Sequence, residues 1–148
     1  MMKHWIVVAD AHVGRIYATD ELVERLDLVE ELKEHGHRVV HGSGGAPTHV
    51  PGAGRGAGQA HGDPHKLGEE KFARAVADAL DEGARRHAYE RMVLIAPPVF
   101  LGQVRAELAA QAKGRLVASV HHDWTQLGLN DLRSRVKKEL EGSQRVPG

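Results

Sequence analysis

The sequence predicts an α/β domain built on a mixed sheet, and three observations carry that prediction. Trp5-Ile6-Val7-Val8-Ala9, Met92-Val93-Leu94-Ile95-Ala96 and Leu116-Val117-Ala118-Ser119-Val120 are apolar runs of strand length, as expected of strands buried on both faces. In the second half, segments with helical apolar spacing alternate with these runs, which implies parallel pairing and right-handed crossovers. The first run is followed, after a turn at residues 10–14, by Arg15-Ile16-Tyr17-Ala18-Thr19. That segment alternates as a half-covered strand does, and the short connection makes the pair an antiparallel hairpin.

The elements follow in order. Residues 20–35 admit two readings. Leu22, Leu26 and Val29 fit a helix that Thr19 or Asp20 could cap, and the Glu, Leu and Lys content favours it. Leu26, Leu28, Glu30 and Leu32 fit a period of two instead. From Gly36 to Gly62 apolar periodicity stops and Gly, His, Pro and Ser dominate. A structureless loop beyond about 12–15 residues is unusual in a compact domain and is either functional or disordered. Asp63-Pro64 then reads as an N-cap with proline at the first helical position. Phe72, Val76 and Leu80 form the inner stripe of this helix, and Arg85, Arg86 and His87 suit its C-terminal dipole. Pro97-Pro98 stops the second buried strand and opens a helix with Leu101, Val104 and Leu108 inside, ending at Gly114. Asn130 is placed to cap the last helix, which carries Leu132, Val136 and Leu140 and ends at Gly142. Three helices are expected, and residues 143–148 read as a disordered tail. One domain over 1–142 accounts for the chain, with 36–62 as its flexible loop.

Composition narrows the function. The 148 residues suffice for one substantial core, and with 4% aromatics that core must be aliphatic. There is no cysteine, which excludes disulfides and thiolate metal sites. Formal net charge is zero with histidine neutral, so the whole surface is not a nucleic-acid magnet, although a local basic patch is compatible. No stretch is long and apolar enough to span a membrane and no secretion signal is evident, so a cytoplasmic location is expected, without membrane contact. Oligomeric state is not legible.

Several strings, taken in order, resemble the bacterial host-attachment protein family over residues 4–140. They are Trp-Ile-Val-Val-Ala-Asp at 5–10, Gly14-Arg15-Ile16-Tyr17, Leu28-Val29-Glu30-Glu31-Leu32, Asp63-Pro64-His65, Glu70-Lys71-Phe72-Ala73-Arg74 and Leu94-Ile95-Ala96-Pro97-Pro98-Val99-Phe100-Leu101-Gly102. That family in turn looks like the middle domain of archaeal and eukaryotic peptide-chain release factors, which carries Gly-Arg-Gly-Gly-Gln followed by Arg-Phe-Ala-Arg at a helix start. Gly54-Arg55-Gly56-Ala57-Gly58-Gln59 and Lys71-Phe72-Ala73-Arg74 stand here in corresponding order. Ala57 occupies the place of the first glycine of the Gly-Gly-Gln triplet, and the spacing from Gln59 to Phe72 is longer. The resemblance implies that residues 25–32 form a strand. The order becomes βββαβαβα, that of a ribonuclease H-like five-stranded mixed sheet. It also implies a stand-alone domain that meets the ribosome or tRNA through its glycine-rich loop, with hydrolysis of peptidyl-tRNA as the reaction, Gln59 as the catalytic residue and no cofactor.

The chemistry of the residues fits such a role. Glutamine is no base at neutral pH, but it can orient water or donate a hydrogen bond to a developing oxyanion. The glycines of 52–58 permit close backbone approach. Gly54, Arg55, Gly56 and Gly58, with Arg38 and Lys66 beside the loop, are the candidate RNA contacts. Gly52 to Ala57 also spells G-x-G-x-x-A, but it neither follows a strand nor opens a helix, so no dinucleotide site is assigned. His35, His37, His41, His49, His61 and His65 cluster without rigid metal-ligand spacing, and no metal is assigned to them. An alternative site lies at the strand ends, where Asp10, His12, His121 and Asp123 should share the edge at which open α/β sheets bind ligands. A metal-dependent hydrolase there would need several carboxylates, and the middle strand, ending in Ala96-Pro97-Pro98, supplies none. A non-catalytic interaction module is the third reading.

Overall fold

The structure is a computed structural model that describes residues 3–34, 38–40 and 64–144, with side chains for 3–34 and 68–141. Six strands and four helices follow in the order β1 (His4–Ala9), β2 (Val13–Thr19), β3 (Asp27–Lys33), β4 (Arg38–Val40), α1 (Pro64–Arg85), β5 (Arg91–Ala96), α2 (Pro98–Glu107), α3 (Ala110–Arg115), β6 (Leu116–His121) and α4 (Leu129–Gln144). They form one sheet in the order β4-β3-β2-β1-β5-β6. β1 lies at its centre, antiparallel to β2 and parallel to β5, and β6 continues the parallel half. This is the expected α/β architecture, with a mixed open sheet in ribonuclease H-like order.

Side chains alternate between two cores. On one face Trp5, Val7, Ala9, Ile16, Met92 and Leu94 pack under α1, α2 and α3. On the other, Ile6, Val8, Tyr17, Val93, Ile95 and Val120 pack under α4. The period of two along β1 thus feeds two helix layers, which is why the run reads as continuously apolar.

Residues 27–33 form a strand against their helix propensity. β3 pairs with β2 on one side and β4 on the other, and Glu30 and Leu32 are buried. Tertiary pairing outweighs a preference worth only tenths of a kcal/mol per residue.

Three details differ from the sequence expectation. The range 36–62 is not loop throughout, because Arg38-Val39-Val40 adds a sixth strand. Its β-branched pair suits that role and covers the otherwise open edge of β3. The segment 98–114 is two helices rather than one. Leu108 and Ala109 are extended, with ψ of 140° and 165°. The Ala109 N–H donates to Asp81 Oδ1 at 3.0 Å, so α1 supplies the acceptor that a continuous helix would have supplied itself. Leu108 and Ala112 both remain in the core. Finally, α4 starts at Leu129, with the Leu132 N–H bonded to the Gly128 carbonyl at 2.9 Å, and continues through Gly142 to Gln144.

α1 ends without glycine. The Ala88 N–H bonds to the Gly83 carbonyl at 2.8 Å and the His87 N–H to the Ala84 carbonyl at 3.1 Å, with His87 at φ 57°. This is a Schellman closure with histidine in the left-handed position. Gly83 is required one turn earlier, where a Cβ would stand 2.5 Å from the Trp5 ring. Trp5 itself stacks on Tyr89 at 4.4 Å, and the Tyr89 hydroxyl donates to the Leu80 carbonyl at 2.9 Å.

Candidate functional site at the carboxyl edge of the sheet

β1, β5 and β6 are parallel, so Asp10, Pro97 and His122 follow their strands at one edge. Asp10 organises the β1–β2 turn. Its Oδ1 accepts the His12 N–H at 2.8 Å and the Val13 N–H at 2.9 Å. Its Oδ2 faces Thr125 Oγ1 at 3.1 Å, and Asp123 Oδ1 lies 2.8 Å from the same hydroxyl. Asp123 Oδ1 also accepts the Thr125 N–H at 3.2 Å. A threonine hydroxyl has one proton to give. It holds two carboxylates within reach and can fully satisfy only one of them.

Thr125 is buried, and a neighbouring cation fixes its backbone. Arg15 Nη1 donates to the Thr125 carbonyl at 2.9 Å while Arg15 Nε donates to Glu31 Oε2 at 2.9 Å. Arg15 and Glu31 are cross-strand partners of β2 and β3, so sheet register sets this ion pair. Burial pushes the nearby Tyr17 phenol up, opposed by the Arg15 charge.

The expected strand-edge residues divide. Asp10 and Asp123 are brought together through Thr125. His12 turns away: its Nδ1 lies 2.6 Å from Glu34 Oε1. The hydrogen bond to Glu34 and then the Glu34 charge raise the imidazole above its ordinary 6.5, with Asp10 and Glu69 adding to this and slight burial opposing it. His121 ends β6 exposed and joins neither carboxylate among the described residues. Instead its neighbour His122 stacks on Trp124 at 5.0 Å, and the Arg135 guanidinium lies 5.7 Å from the Trp124 ring centre. No group of three or more His, Asp or Glu side chains among the described residues could hold a metal ion.

Gly54, Arg55, Gly56, Gly58 and Gln59 lie outside the described residues, as do His35, His37, His41, His49 and His61. Arg38 is the first residue of β4 and Lys66 lies in the first turn of α1. α1 is anchored firmly. Phe72 is buried and stacks on Phe100 at 5.9 Å, Ala73 is fully buried, and Arg74 is exposed with Nε 3.4 Å from Glu107 Oε1. A Cβ on Gly14 would stand 3.9 Å from Phe72 Cζ and 3.3 Å from Val76 Cγ2, which places the first half of α1 beside the β1–β2 turn that Asp10 organises.

Thr125, Arg15, Glu31 and Glu34 escaped the sequence reading. Asp123-Trp124-Thr125 carries a local signal, since Asp two residues before a Thr forms a side-chain turn. The others depend on strand register, which one sequence does not display.

The family described as "Protein required for attachment to host cells" matches residues 5–136. The chain belongs to the host-attachment family. No curated protein matches the sequence. A solved structure described as "Archaeal protein" is similar at 12% identity with a TM-score of 0.46, over 96% of this chain and 38% of that one. This chain therefore spans well under half the length of that protein. No helix among the described residues is long and apolar enough to cross a membrane.

Proposed function

We propose that this host-attachment family member contains a release-factor-like domain that engages the ribosome or tRNA through Gly52–Gln59, with Gln59 positioning water for hydrolysis of a peptidyl-tRNA ester. The observation that carries the reading is the order Gly54-Arg55-Gly56-Ala57-Gly58-Gln59 ahead of Lys71-Phe72-Ala73-Arg74, on a helix whose Phe72 and Ala73 are locked into the core. A loop that must enter a narrow RNA cavity needs a rigid base, and this helix supplies one. A cytoplasmic location goes with that role, and host attachment would then be an indirect consequence of it. The alternative, a hydrolase at the strand edge using Asp10 and Asp123, has weaker support, because Asp10 Oδ1 is already taken by two backbone N–H groups.

Co-sedimentation with purified ribosomes at low salt tests the binding step. The protein should pellet with ribosomes, and an Arg55→Ala variant should pellet less. Protein left wholly in the supernatant removes the reading. If it pellets, release of the peptide from peptidyl-tRNA should be lost in Gln59→Ala. Release undiminished in that variant overturns the catalytic assignment of Gln59.

A further inference from the structure

The opposite end of the sheet carries a second site. β1 and β5 begin there and β2 ends there, and register places Thr19, His4 and Arg91 side by side across three adjacent strands. The row one step inward is Tyr17, Ile6 and Val93, which belongs to the apolar core under α4. Side chains two residues apart on a strand share a face. The polar row therefore continues the α4 face just where the core stops.

A cleft of about 490 Å³ opens over this row. Ile6, Val23, Val93 and Leu140 line its apolar side, and Leu22 and Val117 also line it. The last two are among four large apolar side chains left exposed in the described residues, at 64% and 52%. The volume falls within the range of roughly 300–1,000 Å³ usual for small-molecule sites, and the lining mixes polar with apolar side chains.

Two features mark the cleft as more than a surface fold. Thr19 is fully buried, yet its hydroxyl has no hydrogen-bond partner. Such a group is costly unless something satisfies it. The wall formed by residues 20–24 is held in a strained shape. Val23 is a β-branched residue at φ 53°, a strained conformation for such a side chain, and that side chain is buried. The Asp20 carboxylate accepts the Leu22 N–H at 3.0 Å and the Glu24 N–H at 3.4 Å, and Glu24 reaches Lys137 of α4 at 3.9 Å. The strain is thus tied to the sheet on one side and to α4 on the other.

The head group follows from the row. Arg91 and His4 line the cleft and form no ion pair among the described residues, and the Thr19 hydroxyl lies buried beside them. One acid, Glu21, lines the cleft too, but it belongs to the 20–24 wall rather than to the row. A guanidinium with an imidazole close by suits a carboxylate. We propose that this cleft binds a medium-chain aliphatic monocarboxylate, its head on Arg91 and His4 and its chain against Leu22, Val117 and Leu140. The site lies at the opposite end of the sheet from Asp10, and it does not depend on the release-factor reading.

Octanoate is the probe, followed by calorimetry and by backbone amide shifts in the full-length protein, with octylamine and octanol as controls. The expected result is saturable one-to-one binding, with shifts gathered on residues 4–6, 19–23 and 91–93. Arg91→Gln should weaken octanoate roughly tenfold, as loss of a charge-assisted contact does. Val117→Asp, an exposed change that leaves the core intact, should abolish binding. Octylamine should not compete. Absence of saturation at millimolar octanoate overturns the proposal, as does equal binding of octylamine or an Arg91→Gln variant that binds as well as the parent.

Discussion

Gly83→Ala should destabilise the protein, although alanine is the better helix former. In an unobstructed helix interior the exchange gains about 1 kcal/mol. At Gly83 the new methyl would meet Trp5 Cη2 at 2.5 Å, Trp5 Cζ3 at 2.7 Å and Tyr89 Cε1 at 3.1 Å. Ordinary contact begins near 3.4 Å, so a ring must retreat by about 1 Å. Trp5 cannot do so freely. It is buried on the central strand and stacked on Tyr89, whose hydroxyl is tied to the Leu80 carbonyl. Overpacking of this kind costs about 1–3 kcal/mol, and severe contact with two rigid rings belongs at or beyond the upper end. The net expectation is a loss of about 2 kcal/mol or more. Urea denaturation followed by far-ultraviolet circular dichroism measures it, and the melting temperature should fall by roughly 2–4 °C per kcal/mol. Gly102→Ala in α2 is the internal control. Nothing lies within 4 Å of a Cβ there, so it should stabilise by about 0.5–1 kcal/mol. A Gly83→Ala variant as stable as Gly102→Ala refutes the packing argument. In a Trp5→Leu background the Gly83→Ala penalty should shrink, because the obstructing ring is gone.

Four further outcomes are expected. His87→Gly should stabilise by up to about 1 kcal/mol in thermal unfolding, since glycine takes the left-handed closure of α1 without a Cβ penalty. Thr125→Val should cost about 1–2 kcal/mol, because it leaves the Asp10 and Asp123 oxygens without the hydroxyl between them; a neutral result would mean water serves them equally well. Burial pushes the Tyr89 phenol up to about 12, against an ordinary value of 10, with the Arg115 charge opposing. The unfolded chain therefore ionises first, and the associated stability, complete below pH 10, should drain away between pH 10 and 12; Tyr89→Phe should flatten that decline in a pH series of denaturant midpoints. His12 is held above 6.5 by Glu34, so the pair's contribution is full below that pH and is lost as pH rises through the folded value. His12 is largely exposed, so screening limits the effect to about 0.5 kcal/mol. The stability difference between the parent and His12→Gln should be larger at pH 5.5 than at pH 8.5.

The parts of the fold legible in the sequence are those where one residue type dictates its own surroundings. Trp5 to Ala9 is apolar at every position because both faces of β1 are covered, and that pattern placed the strand at the centre. Phe72, Val76 and Leu80 recur at helical spacing because α1 lies on one face only. What was illegible depends on partners distant in sequence. Residues 98–114 have helical spacing throughout, and only Asp81, 28 residues before Ala109, explains the break. β4 exists because β3 offers an edge, a fact that residues 38–40 do not contain. At the strand edge, Asp10 and Asp123 could be named from their positions after apolar runs. Thr125, which joins them, could not, since a buried threonine in a polar stretch looks like any turn residue.

The two ends of the sheet differ for a reason rooted in strand direction. At the carboxyl end the β1–β2 turn and the segment after β6 converge, and short polar side chains satisfy the backbone there. Asp10 serves two N–H groups and Asp123 serves one, so most of this polarity is spent on holding turns. At the amino end the connections diverge: β2 leaves toward residues 20–26 while β1 and β5 arrive. The apolar row of the α4 face stops at Tyr17, Ile6 and Val93, so His4 and Arg91 line the cleft beyond it, with Thr19 buried beside them. Polar groups at the carboxyl end are engaged with one another, whereas the Thr19 hydroxyl is buried without a partner. A free polar group beside an apolar cleft discriminates between ligands, while an engaged one chiefly stabilises a turn. The amino end is therefore the better place on the described surface to look for a small ligand, even though open parallel sheets usually bind theirs at the other.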